Sequence, residues 1–176
     1  MNLPFIHLTN TVYRGHHPGW SFDPASGDGA KHHGGRFNPK GIAALYTSLR
    51  PETAWLEAQQ GFAFKAQPLT LCGYTADCTG ILDLTDPETR QSVDTDVSDL
   101  GCPWEDMNDH GVVPPSWELA ERLISAGSAG IIVPSFASGA TVRDVNVVFW
   151  NWSDARPHQV RVIDDEGRLP ADDNAL

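Results

Sequence analysis

The stretch Ser26 to Tyr46, SGDGAKHHGGRFNPKGIAALY, is glycine-rich and carries Lys31, His32, His33, Arg36 and Lys40. A loop of that composition can offer backbone N–H groups and a guanidinium to an anion such as a phosphate as it runs into an apolar strand. The simpler reading is a basic surface loop. Other residues could act beside it. Arg14 follows Tyr13 at a strand end, where a side chain reaches into a cleft. Glu57 falls mid-helix, and its neighbours at three and four residues, Thr53, Ala54, Gln60 and Gly61, are small or polar, so a ligand could approach that face. Taken singly, Arg14 reads as an exposed arginine and Glu57 as a solvated helix carboxylate. Ser135 ends a buried strand without a surrounding G-x-S-x-G, which suits a hydrogen-bonding role better than a nucleophilic one. Tyr46 lies near a strand end, and Asn146 lies within a strand whose end it could pin. The pairs His16-His17 and His32-His33 point apart on most backbones, and no H-E-x-x-H or Cys/His set has zinc spacing, so no metal is expected.

Composition narrows the ligand. The chain has 176 residues and a net charge of −11, enough length for one domain with a core and the wrong sign for non-specific binding to nucleic acid. Residues 1–50 hold five basic and two acidic side chains, a local balance of +3 against −14 for the rest. A positive segment in an acidic chain suits a small anion better than a polyanion; the acidic remainder could face a basic protein partner. No run of 18 apolar residues and no leader pattern is present, so neither a membrane span nor secretion is expected. Three cysteines without C-x-x-C spacing fit reduced thiols and a cytoplasmic location.

The elements that must position these residues follow from periodicity and turn chemistry. A strand is predicted up to Tyr13-Arg14, then another over Gly41–Ser48. A helix is predicted over Pro51–Gln60, with Gly61 as its stop. Strands follow at Leu69–Ala76 and Gly80–Leu84, then a helix entered through Thr85-Asp86-Pro87-Glu88 and ending near Val93. Residues 94–115 read as a long loop, a lid or partner surface, with Trp104 and Met107 as anchors. Ser116–Ala126 reads as an amphipathic helix with Trp117, Ala120, Leu123 and Ile124 inward. Strands close the chain at Gly130–Pro134, Asp144–Trp152 and Val160–Ile163. The domain is expected over residues 1–163 and a fraying acidic tail over 164–176. With no βαβ repeat and no G-x-G-x-x-G after a strand, the class is α+β, not a Rossmann fold.

The order of motifs resembles the RES-domain family over roughly residues 10 to 152. Tyr13-Arg14 is similar to its opening motif, and Ser26-Gly27-Asp28-Gly29-Ala30 with Gly34-Gly35-Arg36-Phe37-Asn38-Pro39-Lys40-Gly41 to its SGxGA…GGRWNxxG block. Leu45-Tyr46-Thr47-Ser48, Glu57, Val133-Pro134-Ser135 and the strand around Asn146 fall in the family's order. Phe37 stands where tryptophan is common, which keeps an aromatic packing role. The resemblance implies a single domain, similar to ADP-ribosyltransferase toxins, with a mixed split sheet around a NAD⁺ cleft and flanking helices. It implies the toxin of a toxin–antitoxin pair, with NAD⁺ as substrate and an antitoxin partner carrying a helical DNA-binding domain.

Breaking the nicotinamide–ribose bond leaves an oxocarbenium ion and a neutral leaving group. The site then needs negative charge near the ribose, cations on the diphosphate and a platform for the ring. Under the resemblance Glu57 supplies the first, Arg14 and Arg36 grip phosphate oxygens, and Tyr46 stacks on nicotinamide. Ser135 bonds the cofactor or Glu57, and Asn146 completes the set. The acceptor stays open. Transfer to a protein is placed first, because residues 94–115 could dock a protein substrate; phosphorolysis or hydrolysis that depletes NAD⁺ is the alternative. A ribonuclease-type toxin using His16, His32 or His33, and a phosphate-ligand binding module without chemistry, are the readings from other classes.

Overall fold

The structure, a computed structural model, describes residues 2–60 and 67–171. Its strands are β1 Ile6–His16, β2 Leu45–Ser48, β3 Thr70–Asp83, β4 Gly130–Pro134, β5 Val145–Phe149 and β6 His158–Val162. They form one sheet in the order β1-β2-β5-β4-β3-β6. Among the described strands β3 and β4 pair in parallel, and the other pairs are antiparallel. Because β1 also pairs along β3, from Ile6↔Ile81 to His16↔Thr70, five strands close on themselves and β6 extends β3 from outside the ring. The α+β class is as expected, but the sheet is closed and barrel-like, not split into halves. One seam is narrow: β1 and β2 meet only at Tyr13↔Ser48.

Closure follows from β3, which is long enough to use both edges. The expectation of two strands over this stretch is corrected to one bent strand. At Gly80, φ is +74°, and the β1 register shifts between Ile6 and Leu8. A bulge there exchanges the two faces of the strand. Cys72, Tyr74, Ala76 and Cys78 therefore share one core with Ile81, whereas Leu82 and Leu84 enter the second. The first core also takes Leu45, Val147 and Phe149. The second takes Ile131, Val133 and Val148 from the sheet, with Leu100, Leu119 and Leu123 from the helices. Strand alternation thus buries both faces. At Gly130 an added Cβ would sit 2.4 Å from the Val148 carbonyl oxygen, so β4 and β5 tolerate no side chain there.

The helices are α1 Asp28–His33, α2 Pro51–Ala58, α3 Pro87–Ser92, α4 Val97–Leu100, α5 Trp104–Asp109 and α6 Pro115–Ser125. Asp86 caps α3 as expected, its side chain accepting from Thr89 N. In α6, Trp117, Ala120 and Leu123 are buried together with Leu119, while Ile124 is only half-buried. The predicted loop over 94–115 contains α4 and α5. Asp96 and Asp99 form a reciprocal capping box that starts α4, an aspartate pair doing what a Ser/Thr–Glu pair usually does. Over the described part of the tail expected to fray, Arg168 N and Leu169 N donate to the Asp164 carboxylate, and Leu169 packs on the core. The predicted helix stop at Gly61 and residues 172–176 lie outside the described residues.

Candidate active site

The Ser26–Tyr46 stretch is a built structure, not a flexible cationic loop. Residues 28–33 form α1, and Lys31, His32 and His33 lie in its last turn, where positive charge complements the helix dipole. All three are exposed, as is Lys40, and none of the four lines the cleft described below. Past Gly34 the chain turns tightly, with Gly35 N donating to Asn38 O. Asn38, fully buried, donates its amide to the carbonyls of Ala30 and Ile42, at 2.8 and 2.9 Å. Gly41, at φ +97°, and the amide contact to Ile42 O keep this stretch out of the ladder, so β2 begins at Leu45 and not at Gly41.

Tyr46 locks this turn to the sheet. Its hydroxyl donates to Asn38 Oδ1 at 2.6 Å and accepts from Phe37 N at 2.9 Å. Burial pushes the phenol well above its ordinary pKa, against the opposing pull of the Phe37 hydrogen bond and Arg36. Two indoles complete the lock: Trp117 Nε1 donates to Gly35 O and Trp150 Nε1 to Phe37 O. A Cβ on Gly35 would lie 2.5 Å from the Tyr46 hydroxyl and 2.7 Å from Asn38 Oδ1. Gly35→Ala is therefore expected to lower the free energy of unfolding in urea by about 2 kcal/mol, the scale of overpacking at a filled site.

Glu57 sits on α2, which follows β2 directly. Pro51 opens that helix in its first turn, and Gly15 lets it lie against β1; a Cβ there would meet Ala58 Cβ at 3.0 Å. Glu57 is half-buried, not solvated. Its Oε1 accepts from Ser135 Oγ at 2.6 Å and from Asn146 Nδ2 at 2.5 Å. Ser48 Oγ in turn donates to Asn146 Oδ1 at 2.7 Å, which fixes the amide's orientation. Ser135 Oγ also accepts from Ala137 N. Oε1 is thus saturated, and no hydrogen bond to Oε2 is present among the described residues.

These groups face a two-lobed cleft. The smaller lobe, about 230 Å³, includes Tyr13, Arg14, Tyr46, Ser48, Glu57 and Asn146 and lies at the β1–β2 seam. The larger, about 770 Å³, shares Arg14, Tyr46, Glu57 and Asn146 with it and adds Arg36, Trp104 and Phe136. The combined space is in the range that takes a sizeable small molecule. Arg14 donates from one guanidinium nitrogen to the carbonyls of Pro24 and Ser26, at 3.0 and 3.1 Å. Arg36 donates to Cys102 O at 2.6 Å and lies over the Phe136 ring, 5.1 Å from its centroid. Burial pulls the Arg36 guanidinium below its ordinary pKa, while Cys102, Glu57 and Tyr46 pull the other way.

Five of the six expected residues line the cleft, and the sixth, Ser135, anchors the carboxylate at its centre. Sequence reasoning missed Ser48 as the residue that orients Asn146, and Asn38 as the centre of the turn. It also missed Phe136, which lines the larger lobe together with Gln60, one of the neighbours of Glu57 on the face expected to admit a ligand. A short polar side chain beside an aromatic in GGRFN was the available signal for Asn38; nothing local marked Phe136. The histidines proposed for a nuclease are not gathered: His32 and His33 are exposed, and His16 is buried. Burial first, then the charges of Arg14 and His17, push His16 down to about 4. Among the described residues no cluster of three His, Cys, Asp or Glu could hold a metal, and no helix is long and apolar enough to cross a membrane.

The chain as a whole is similar to known proteins. The chain is 29% identical over 144 residues to proteins of Mycobacterium bovis and Mycobacterium tuberculosis named NAD(+) phosphorylase MbcT, covering 74% of this chain and 75% of each relative. Among solved structures it is similar to the crystal structure of the M. tuberculosis MbcT–MbcA toxin–antitoxin complex, with TM-score 0.61, 21% identity, and 91% of this chain against 84% of that one. The RES domain matches residues 11–172, and the chain belongs to the RES-domain family.

Proposed function

We propose that this protein is the toxin of a toxin–antitoxin pair that cleaves the nicotinamide–ribose bond of NAD⁺ and passes the ADP-ribosyl group to inorganic phosphate. The observation that carries the reading is Glu57, fixed at Oε1 by Ser135 and Asn146 and with no hydrogen bond at Oε2 among the described residues, in a cleft that also holds Arg14 and Arg36. The C–N bond pair leaves with nicotinamide, which departs neutral. Positive charge grows on the ribose ring, and the Glu57 carboxylate stabilises it where it develops. A phosphate oxygen then bonds to the anomeric carbon, giving nicotinamide and ADP-ribose 1″-phosphate. Arg14 and Arg36 counter the charge of the diphosphate. The Tyr46 hydroxyl is engaged in the turn, which leaves only its ring to bound the nicotinamide.

Phosphate moves ahead of a protein acceptor in this reading. The case for protein transfer rested on a long docking loop, and that segment holds two short helices braced by the Arg36 contact to Cys102 O. The relatives' name, NAD(+) phosphorylase, supports the same order. The complex in which the structural neighbour was solved supports a cognate antitoxin; a helical DNA-binding domain on it, kinship with ADP-ribosyltransferase toxins and a cytoplasmic site of action belong to the same proposal. The three cysteines are free and buried, which fits a reducing compartment.

Phosphorus NMR of purified protein with NAD⁺ across a phosphate titration tests the acceptor. ADP-ribose 1″-phosphate rising with phosphate is expected. Free ADP-ribose at every phosphate concentration would make the enzyme a hydrolase, and an ADP-ribose mass on a lysate protein would restore transfer. Arg36→Lys keeps the charge but loses the planar fork that serves both Cys102 O and a ligand. Calorimetry is expected to show NAD⁺ affinity about tenfold weaker, the worth of one charge-assisted hydrogen bond. Unchanged affinity would remove Arg36 from the binding site.

A further inference from the structure

A third hollow, about 250 Å³, opens beside the cleft, and its walls include Arg14, His16, Trp20, Asp23, Ser26 and Gly29. It shares Arg14 and Gly29 with the larger lobe, so the two spaces adjoin across these residues. Trp20 is 59% exposed, yet its position is built. It ends a 3-10 turn, Pro18–Trp20, that His17 caps by accepting from Gly19 N at 2.9 Å. Its ring meets Phe22 at a tilt, with centroids 5.9 Å apart. The floor carries no charge at neutral pH, because His16 is buried and its pKa is pushed down to about 4. Its Nδ1 has no hydrogen-bond partner among the described residues. Gly29 lines both spaces, and an added Cβ there would meet nothing within 4 Å.

The order of these groups matches the order of parts in the substrate. Glu57 stands at one side for the nicotinamide ribose, Arg14 lies between for the diphosphate, and an indole face with a carboxylate lies beyond. We infer that the hollow is the adenosine subsite, with Trp20 stacking on the purine and Asp23 accepting from its amino group or ribose hydroxyls. This rests on the NAD⁺ reading above. Stacking on an aromatic side chain is a sequence-tolerant way to hold a base, and the volume suits one nucleoside half of a dinucleotide. An indole in this place explains an exposed tryptophan on a fixed turn, which the cleavage chemistry alone does not use.

AMP carries the adenosine half without the reacting bond, so it probes the subsite by itself. Calorimetric titration of wild-type protein with AMP is expected to show binding. Trp20→Ala is expected to weaken it on the order of tenfold, and Trp20→Phe to keep most of it, as the loss of one stacking contact predicts. The KM for NAD⁺ should rise in parallel in Trp20→Ala. Because Trp20 is exposed, its removal empties no core, and melting curves would verify that the fold persists. Failure of wild-type protein to bind AMP, or equal affinity in Trp20→Ala, overturns the inference. Trp20-dependent AMP binding by a protein that releases no nicotinamide would keep the subsite and break the cleavage reading.

Discussion

Glu57→Ala is expected to lower nicotinamide release from NAD⁺ on the order of 10²–10³-fold, the usual loss when a key electrostatic group is removed from a preorganised site. The structure gives this loss a specific cause. Ser135 and Asn146 both aim donors at Oε1, so the site is built to hold negative charge at one place. The loss should appear in kcat, because an oxocarbenium ion needs the carboxylate and ground-state NAD⁺ does not. Glu57→Gln separates charge from shape: it keeps an oxygen for the two donors and still loses most of the rate. The fold should persist in both variants, since Glu57 is half-buried in an open cleft and water can serve the donors left behind. Steady-state nicotinamide release with thermal melting of the same samples checks both parts. A Glu57→Ala protein with full turnover would dismiss the carboxylate from the mechanism.

The largest stability effect is expected at Asn38. Asn38→Ala removes two amide donations, to Ala30 O and Ile42 O, and the acceptor of the Tyr46 hydroxyl, all at a residue with no exposed surface. Each buried group left without a partner costs about 1–3 kcal/mol, so the net loss in urea unfolding is expected near 3 kcal/mol. The consequence reaches the site, because Arg36 is two residues away and its position depends on the same turn. Activity should therefore fall with stability in Asn38→Ala, whereas Glu57→Ala separates the two. A variant as stable as wild type would show that water or a shifted backbone replaces the amide.

Much of this is legible in the sequence itself. Helix α2, strand β4 and the Asp86 cap carry local signals, namely an early proline, a short apolar run and an aspartate before proline. The residues brought together in the candidate site are legible through their order along the chain. What was hidden is non-local. The closure of the sheet depends on β1 pairing with β3 across more than fifty residues, and no periodicity reports that. The bulge at Gly80 exchanged the two faces of β3 and made one strand read as two. The cation cluster at Lys31, His32 and His33 pointed to an anion, but its place at the end of α1 is explained by the helix dipole. Ser135 and Asn146 met Glu57 only because α2, β4 and β5 converge on one edge of the cleft.

The central claim is that this cleft breaks the nicotinamide–ribose bond. The most direct test is chromatographic quantification of nicotinamide after purified wild-type protein, free of antitoxin, is incubated with NAD⁺ and phosphate. The account predicts nicotinamide in amounts equal to the NAD⁺ consumed, with the rate collapsing in Glu57→Ala. NAD⁺ recovered intact under those conditions, from a protein shown to be folded, would contradict it.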